Sequence, residues 1–144
     1  MARPAAEASV MKCWLVAGLL LAAVSTAAAE DDVDCNNAMA QQDMNHCAYK
    51  DYEAADAELN AAWKDARKVA KELDAELSDD LKGADKALLA GQRAWIAYRD
   101  SQCELAGFEA RGGSMEPMLV SGCLADLTRK RTSQLREFNT GEAQ

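Results

Sequence analysis

Four cysteines follow residue 30 of this 144-residue chain, and their spacing limits the folds that the chain can adopt. They are Cys35, Cys47, Cys103 and Cys123, and an even number in a small exported chain predicts two disulfides. Three pairings are possible. We favour Cys103 with Cys123, because the turn-rich segment 111–117 between them would fold two helices back on each other.

The remaining pair, Cys35 with Cys47, excludes a continuous helix between these two residues. Such a helix would separate their Cα atoms by ~18 Å, which is far beyond the reach of a disulfide. We therefore expect the chain to turn near Asn36 and Asn37. Each bridge would contribute roughly 2 to 4 kcal/mol to the free energy of unfolding.

The N-terminus has the composition of a secretory signal peptide. Arg3 and Lys12 are the only cations before a short apolar run, and small residues follow that run. This order predicts a signal peptide over residues 1–29, cleavage after Ala29, and one domain over residues 30–144. The apolar run is too short to span a bilayer, and an uncleaved N-terminal anchor is the alternative. We expect a periplasmic or secreted protein with no membrane insertion after cleavage.

The charge balance favours basic partners. Without residues 1–29 the chain carries 14 Lys and Arg against 23 Asp and Glu, a formal charge of −9. Such a chain repels nucleic acid and anionic membrane surfaces, whereas it attracts basic proteins. The remaining length leaves room for one modest core. We therefore predict no nucleic-acid partner.

Apolar residues recur at steps of three and four after Cys47, which predicts amphipathic helices. The first stripe comprises Tyr52, Asp56, Leu59, Trp63, Ala66, Ala70, Leu73 and Leu77. Ser78, followed by Asp79 and Asp80, is then predicted to cap a second helix and to supply its acidic first turn. The second stripe comprises Leu81, Ala84, Leu88, Gly91, Trp95, Tyr98, Gln102 and Leu105.

A third helix is predicted to start near Pro117, a residue that favours the first helical turn. Its apolar positions are Leu124, Leu127, Leu135 and Phe138. Apolar and polar residues do not alternate at a period of two, so we predict no strands. The expected fold class is all-α: a small antiparallel helical bundle of about three main helices stapled by two disulfides, with Cys35 pinning a short N-terminal segment to the first helix.

Two charged side chains interrupt these apolar faces. Asp56 lies between Tyr52 and Leu59, and Arg99 lies one turn after Trp95. Because a buried carboxylate without a partner is costly, we predict a structural ion pair between Asp56 and Arg99. A role for Asp56 as a general acid or base is the alternative, and no second acid at a suitable helical spacing supports it.

Enzyme and metal chemistry find little support in the sequence. His46 adjoins Cys47, but neither a Cys-x-x-Cys pair nor a second histidine accompanies it. The chain also lacks a Gly-x-Ser-x-Gly elbow, a phosphate-binding loop and an HExxH pair. We predict no metal, no cofactor, no catalytic residue and no enzymatic activity.

Four short segments occur in a characteristic order between about residues 35 and 135. They are Met44-Asn45-x-Cys47, Ala55-Asp56-x-Glu58-Leu59-Asn60, Gln92-Arg93-Ala94-Trp95-x-x-Tyr98-Arg99-Asp100-x-x-Cys103 and Cys123-Leu124. Together they resemble the lysozyme inhibitor LprI-like family of exported bacterial proteins. The resemblance implies a small α-helical domain with paired cysteines, and it suggests that the protein inhibits lysozyme.

The residues are compatible with inhibition. An acidic protein is steered electrostatically towards the strongly basic surface of many lysozymes or of another basic protein. A lysozyme cleft holds two carboxylates, so a projecting loop with a cation or a hydroxyl could block it, and Arg111 and Ser114 are the candidates. The alternatives are that this loop only connects two helices, and that the protein is a non-inhibitory structural or accessory module of the bacterial envelope.

Overall fold

The computed structural model describes residues 33–141, which form three α-helices and contain no strand. Helix α1 spans Gln41–Glu76, α2 spans Ala84–Gly107 and α3 spans Glu116–Thr140. A single 3₁₀ turn over Phe108–Ala110 extends α2. The all-α prediction is confirmed. The predicted signal peptide lies outside the described residues, and none of the described helices has the length and apolar character that crossing a membrane requires.

The core is narrow and is built largely from alanine and leucine. Its buried centre consists of Leu59, Ala62 and Ala66 on α1 and Leu135 on α3. Four larger side chains pack around this centre: Trp63, Leu88, Trp95 and Phe138. Helix α1 packs more extensively on α3 than on α2, because its alanines let the two backbones approach closely. Helix α2 therefore keeps a wide outer side that the other two helices do not cover.

A disulfide joins the segment before α1 to the helix itself. The Cα atoms of Cys35 and Cys47 lie 5.5 Å apart. Between them the backbone N–H of Asn37 donates to the carbonyl oxygen of Asp34 at 3.1 Å. The carboxylate of Asp34 accepts from the Asn37 side chain at 2.7 Å and from the Asn36 backbone N–H at 3.0 Å, and these bonds lower the pKa of Asp34. The predicted pairing and the predicted turn are both confirmed.

The second disulfide links α2 to α3. Cys103 and Cys123 have Cα atoms 5.3 Å apart, and Cys103 is fully buried. Pro117 lies in the first turn of α3, as predicted. The helix ends at Gly141, whose φ of 76° is left-handed and suits a residue without a Cβ.

The predicted cap of the second helix was wrong. Ser78 does not cap a helix: its hydroxyl donates to Asp80, and residues 77–83 form a connection between α1 and α2. The cap comes from Asp74, whose carboxylate accepts the backbone N–H groups of Gly83 at 2.7 Å, Ala84 at 2.8 Å and Asp85 at 3.1 Å. A side chain from the last turn of α1 therefore starts α2, and these three bonds lower the pKa of Asp74.

The predicted apolar stripe of the second helix was also partly wrong. Leu81 precedes α2 and is exposed, and Tyr98, Gln102 and Leu105 point to solvent. The buried side chains of α2 include two polar ones: Arg99, which was expected at the interface with Asp56, and Gln92, which was not. Burial of Gln92 is possible because its side-chain oxygen accepts a hydrogen bond from Arg131 at 2.9 Å. Hydropathy alone assigned the wrong face to α2, because hydrogen-bonded polar groups occupy part of the real one.

Candidate functional site

The segment 92–103 places a guanidinium between two aromatic rings. The Cζ atom of Arg99 lies 5.1 Å from the ring centroid of Trp95 on α2 and 5.5 Å from that of Tyr52 on α1. Both distances are within the range of cation–π attraction. Burial raises the pKa of the Tyr52 hydroxyl. Arg99 is 8% exposed, so its guanidinium is buried in the α1–α2 interface.

Two carboxylates accompany this guanidinium, and the nearer one is not the predicted partner. Asp100 accepts from Arg99 at 2.9 Å, whereas the Oδ1 atom of Asp56 lies 3.7 Å from Nη1 of Arg99. Asp56 also accepts a hydrogen bond from Asn60 at 2.8 Å. The structure thus brings Asp56 and Arg99 together, but the sequence reasoning missed Asp100, which the adjacent position in the chain could have indicated.

The connection between α2 and α3 forms a projecting loop over residues 108–115. Arg111 donates to Glu116 at 2.7 Å, and its Cζ atom lies 4.5 Å from the ring centroid of Phe108. The other carboxylate oxygen of Glu116 accepts the backbone N–H of Gly112 at 2.7 Å. That bond, together with Arg111, lowers the pKa of Glu116. Gly112 has a φ of 77°, which explains the glycine at this position.

Helix α1 also contacts this loop. The side-chain amide of Asn45 donates to the carbonyl oxygen of Ser114 at 2.9 Å. The candidate side chains of Arg111 and Ser114 are exposed, and the loop also exposes Phe108 and Met115. The loop therefore exposes apolar side chains at both of its ends and a cation between them.

An open groove lies beside the loop, between α1 and α3. It is lined by Tyr49, Gly112, Gly113, Glu116, Pro117, Val120, Ser121 and Leu124. Its walls are mainly apolar, and half of the surface of Tyr49 is exposed. We call these residues the loop groove. Such a surface can accept an apolar side chain of a partner protein.

No metal centre is formed within residues 33–141, where no three His, Cys, Asp or Glu side chains cluster as ligands would. His46 is half-buried in the first turns of α1. A disulfide, rather than a metal, takes up the neighbouring Cys47.

Comparison with known proteins assigns the chain to a family. Residues 34–135 match the family model described as lysozyme inhibitor LprI. The chain belongs to this LprI family. A similar relative is the uncharacterized protein R02472 of Rhizobium meliloti (strain 1021), which is 57% identical over 124 residues, covering 83% of this chain and 89% of the relative. No solved structure matches the chain. The LprI match contains both disulfides, the Arg99 cluster and the projecting loop.

Proposed function

We propose that this protein is an exported, non-catalytic binding protein that inhibits a basic lysozyme or a related basic wall-active enzyme. The observation that carries the proposal is the match of residues 34–135 to the lysozyme inhibitor LprI family. Two disulfides in a small domain support export to an oxidising compartment. Cleavage of residues 1–29 belongs to the same proposal.

Charge supports a basic partner. The chain without residues 1–29 has a formal charge of −9, which accelerates encounter with a cationic protein. The acceleration depends on salt, because the Debye length shrinks from ~30 Å at 0.01 M salt to ~8 Å at 0.15 M. Inhibition of a basic lysozyme is therefore expected to be strongest at low salt.

The projecting loop is the proposed contact surface. Phe108 and Met115 are exposed apolar groups, and Arg111 presents a cation to the acidic cleft of the target. Glu116 and Asn45 hold this loop in one conformation, so little conformational entropy is lost on binding. Arg111 would exchange part of its contact with Glu116 for a carboxylate of the target.

The decisive experiment is a lysozyme assay with the oxidised protein. Turnover is measured with several lysozyme types at increasing inhibitor ratios, at low salt and at physiological salt. We expect stoichiometric loss of activity that weakens as salt rises. Full turnover of every lysozyme type in the presence of excess protein would reject inhibition and favour an accessory role in the envelope.

A pair of matched variants tests the contact surface. The double variant Phe108→Ala and Arg111→Ala removes an exposed apolar group and a salt-bridged cation from the loop. Its control, Leu81→Ala with Lys82→Ala, removes the same two kinds of group from the connection between α1 and α2. We expect inhibition to weaken by about tenfold or more for the first variant alone, as for a hot-spot residue. Equal effects of both variants would contradict the assignment of the loop.

A further inference from the structure

The outer face of α2 is exposed, uncharged and regularly spaced. It consists of Ala87, Gly91, Ala94, Tyr98, Ser101 and Leu105, which follow each other at alternating steps of four and three. That spacing is the one by which two helices pack side by side in a coiled coil. Two exposed charges of α2 flank this face, Lys86 and Glu104, whereas Arg93 and Asp100 lie further round the helix.

Three residues of this face have no explanation within one copy of the protein. Gly91 lies inside the helix, where glycine is less favourable than alanine, and a Cβ atom added there would meet nothing within 4 Å. Tyr98 is 56% exposed and Leu105 is 62% exposed. Within residues 33–141 the Tyr98 side chain makes no hydrogen bond and no ring contact. A second surface against this face would account for all three.

The sizes of these side chains complement each other in one arrangement. The N-terminal half of the face holds only small residues, whereas the C-terminal half holds both large ones, Tyr98 and Leu105, together with Ser101. Two antiparallel copies related by a two-fold axis near residue 96 would place Tyr98 opposite Ala94, Ser101 opposite Gly91, and Leu105 opposite Ala87. A parallel arrangement would set large residues against large ones and small against small. We propose that the protein forms an antiparallel dimer through the outer face of α2.

The charges that flank the face also differ between its two ends. Lys86 is in the N-terminal half of α2, whereas Glu104 is in the C-terminal half. Antiparallel pairing brings Lys86 of each copy towards Glu104 of the other, which favours the complex. Lys86 and Glu104 form no ion pair within the described part of the chain.

The area of contact determines the expected affinity of the dimer. The face is ~27 Å long, since a helix rises 1.5 Å per residue. One helix pair of this length buries less than the ~1,200 Å² of a standard interface, so we expect a dissociation constant of about 10 to 100 µM. Both copies use the same surface patch, and the two-fold axis leaves neither patch free. Assembly therefore stops at the dimer.

Sedimentation velocity tests the dimer without any lysozyme. The full 144-residue chain is expressed in an exporting host, purified with its disulfides intact and measured from about 1 µM to about 500 µM, a range that brackets the expected dissociation constant. We expect a shift from monomer to dimer. The variant Ala94→Arg should weaken the dimer at least about tenfold, because it sets like charges next to the two-fold axis. The control Ala61→Arg, on an exposed position of α1, should leave the dimer unchanged.

A charge-reversal series tests the antiparallel arrangement. Lys86→Glu should weaken the dimer about three- to tenfold, because an acid of each copy then faces Glu104 of the other copy. The double variant Lys86→Glu with Glu104→Lys should restore the dimer, because it again places opposite charges together. Circular dichroism checks that each variant is folded. A monomer at every concentration, or equal weakening by Ala61→Arg, would overturn the proposal. A monomer whose Ala94→Arg variant loses lysozyme inhibition would also overturn it and would assign this face to the lysozyme.

Discussion

The two connections between helices are built alike but are held to different degrees. In each, a carboxylate from a flanking helix accepts backbone N–H: Asp74, in the last turn of α1, accepts three at residues 83–85, and Glu116, in the first turn of α3, accepts that of Gly112. At the first, Arg67 on α1 also donates to both carboxylate oxygens of Asp85 in the first turn of α2. The second adds a disulfide between the flanking helices and a hydrogen bond from Asn45 on α1. A loop held by contacts from three helices is better suited to present a binding surface than a connection held only by its two flanking helices.

Removal of the disulfide beside the second connection should give the largest effect. The double variant Cys103→Ser and Cys123→Ser opens a link over 20 residues and should cost about 3 kcal/mol of unfolding free energy in urea titrations. The matched pair Cys35→Ser and Cys47→Ser opens a link over 12 residues at an exposed segment and should cost less. Equal losses would mean that the second connection gains no special rigidity from its bridge.

Loss of the cap in the first connection should give an intermediate effect. Asp74→Ala removes the acceptor for three backbone N–H groups and should lower the melting temperature by about 4 to 8 °C. Asp79→Ala in the same connection removes only an exposed ion pair with Lys82 and should change it by less than about 2 °C. A large drop for Asp79→Ala would contradict the assignment of the cap.

The pH dependence of stability should show the smallest difference. The backbone N–H groups lower the pKa of Asp74 and of Glu116 in the folded state, so their contributions are complete above the unfolded-state carboxyl values of about 4. These contributions to stability are lost as the pH falls through the lowered pKa values of the folded state. Thermal melts between pH 6 and about pH 3 should therefore show a smaller decline for Asp74→Asn than for the unaltered protein. An unchanged decline would mean that Asp74 titrates alike in both states.

Much of the fold was predictable from local features. Cysteine spacing gave the two bridges, and the stripe on α1 matched its buried side from Leu59 to Ala70. The start of α2 was not predictable in this way, because its cap is Asp74, a residue of the preceding helix. The buried face of α2 was only partly predicted: Arg99 was expected at the interface as the partner of Asp56, but Gln92 is polar by type and is buried through its hydrogen bond from Arg131.

The candidate site was predictable only as a location. Glycines indicated the loop that carries Arg111 and Ser114, but the contacts that fix it come from Glu116 and from the distant residue Asn45. The solvent exposure of Tyr98 contradicts the core role that its place in the second stripe predicted. Sequence spacing shows which residues share a helix face, whereas packing decides whether that face is covered.

The two disulfides differ in how a reductant would reach them. Cys35 is exposed, whereas Cys103 is fully buried between α2 and α3. Thiolate attack requires access to a sulfur atom, and Cys123 is half-buried, so the bridge before α1 should open first and the bridge between α2 and α3 more slowly. Partial reduction would then release the segment before α1 and leave the rest of the domain intact.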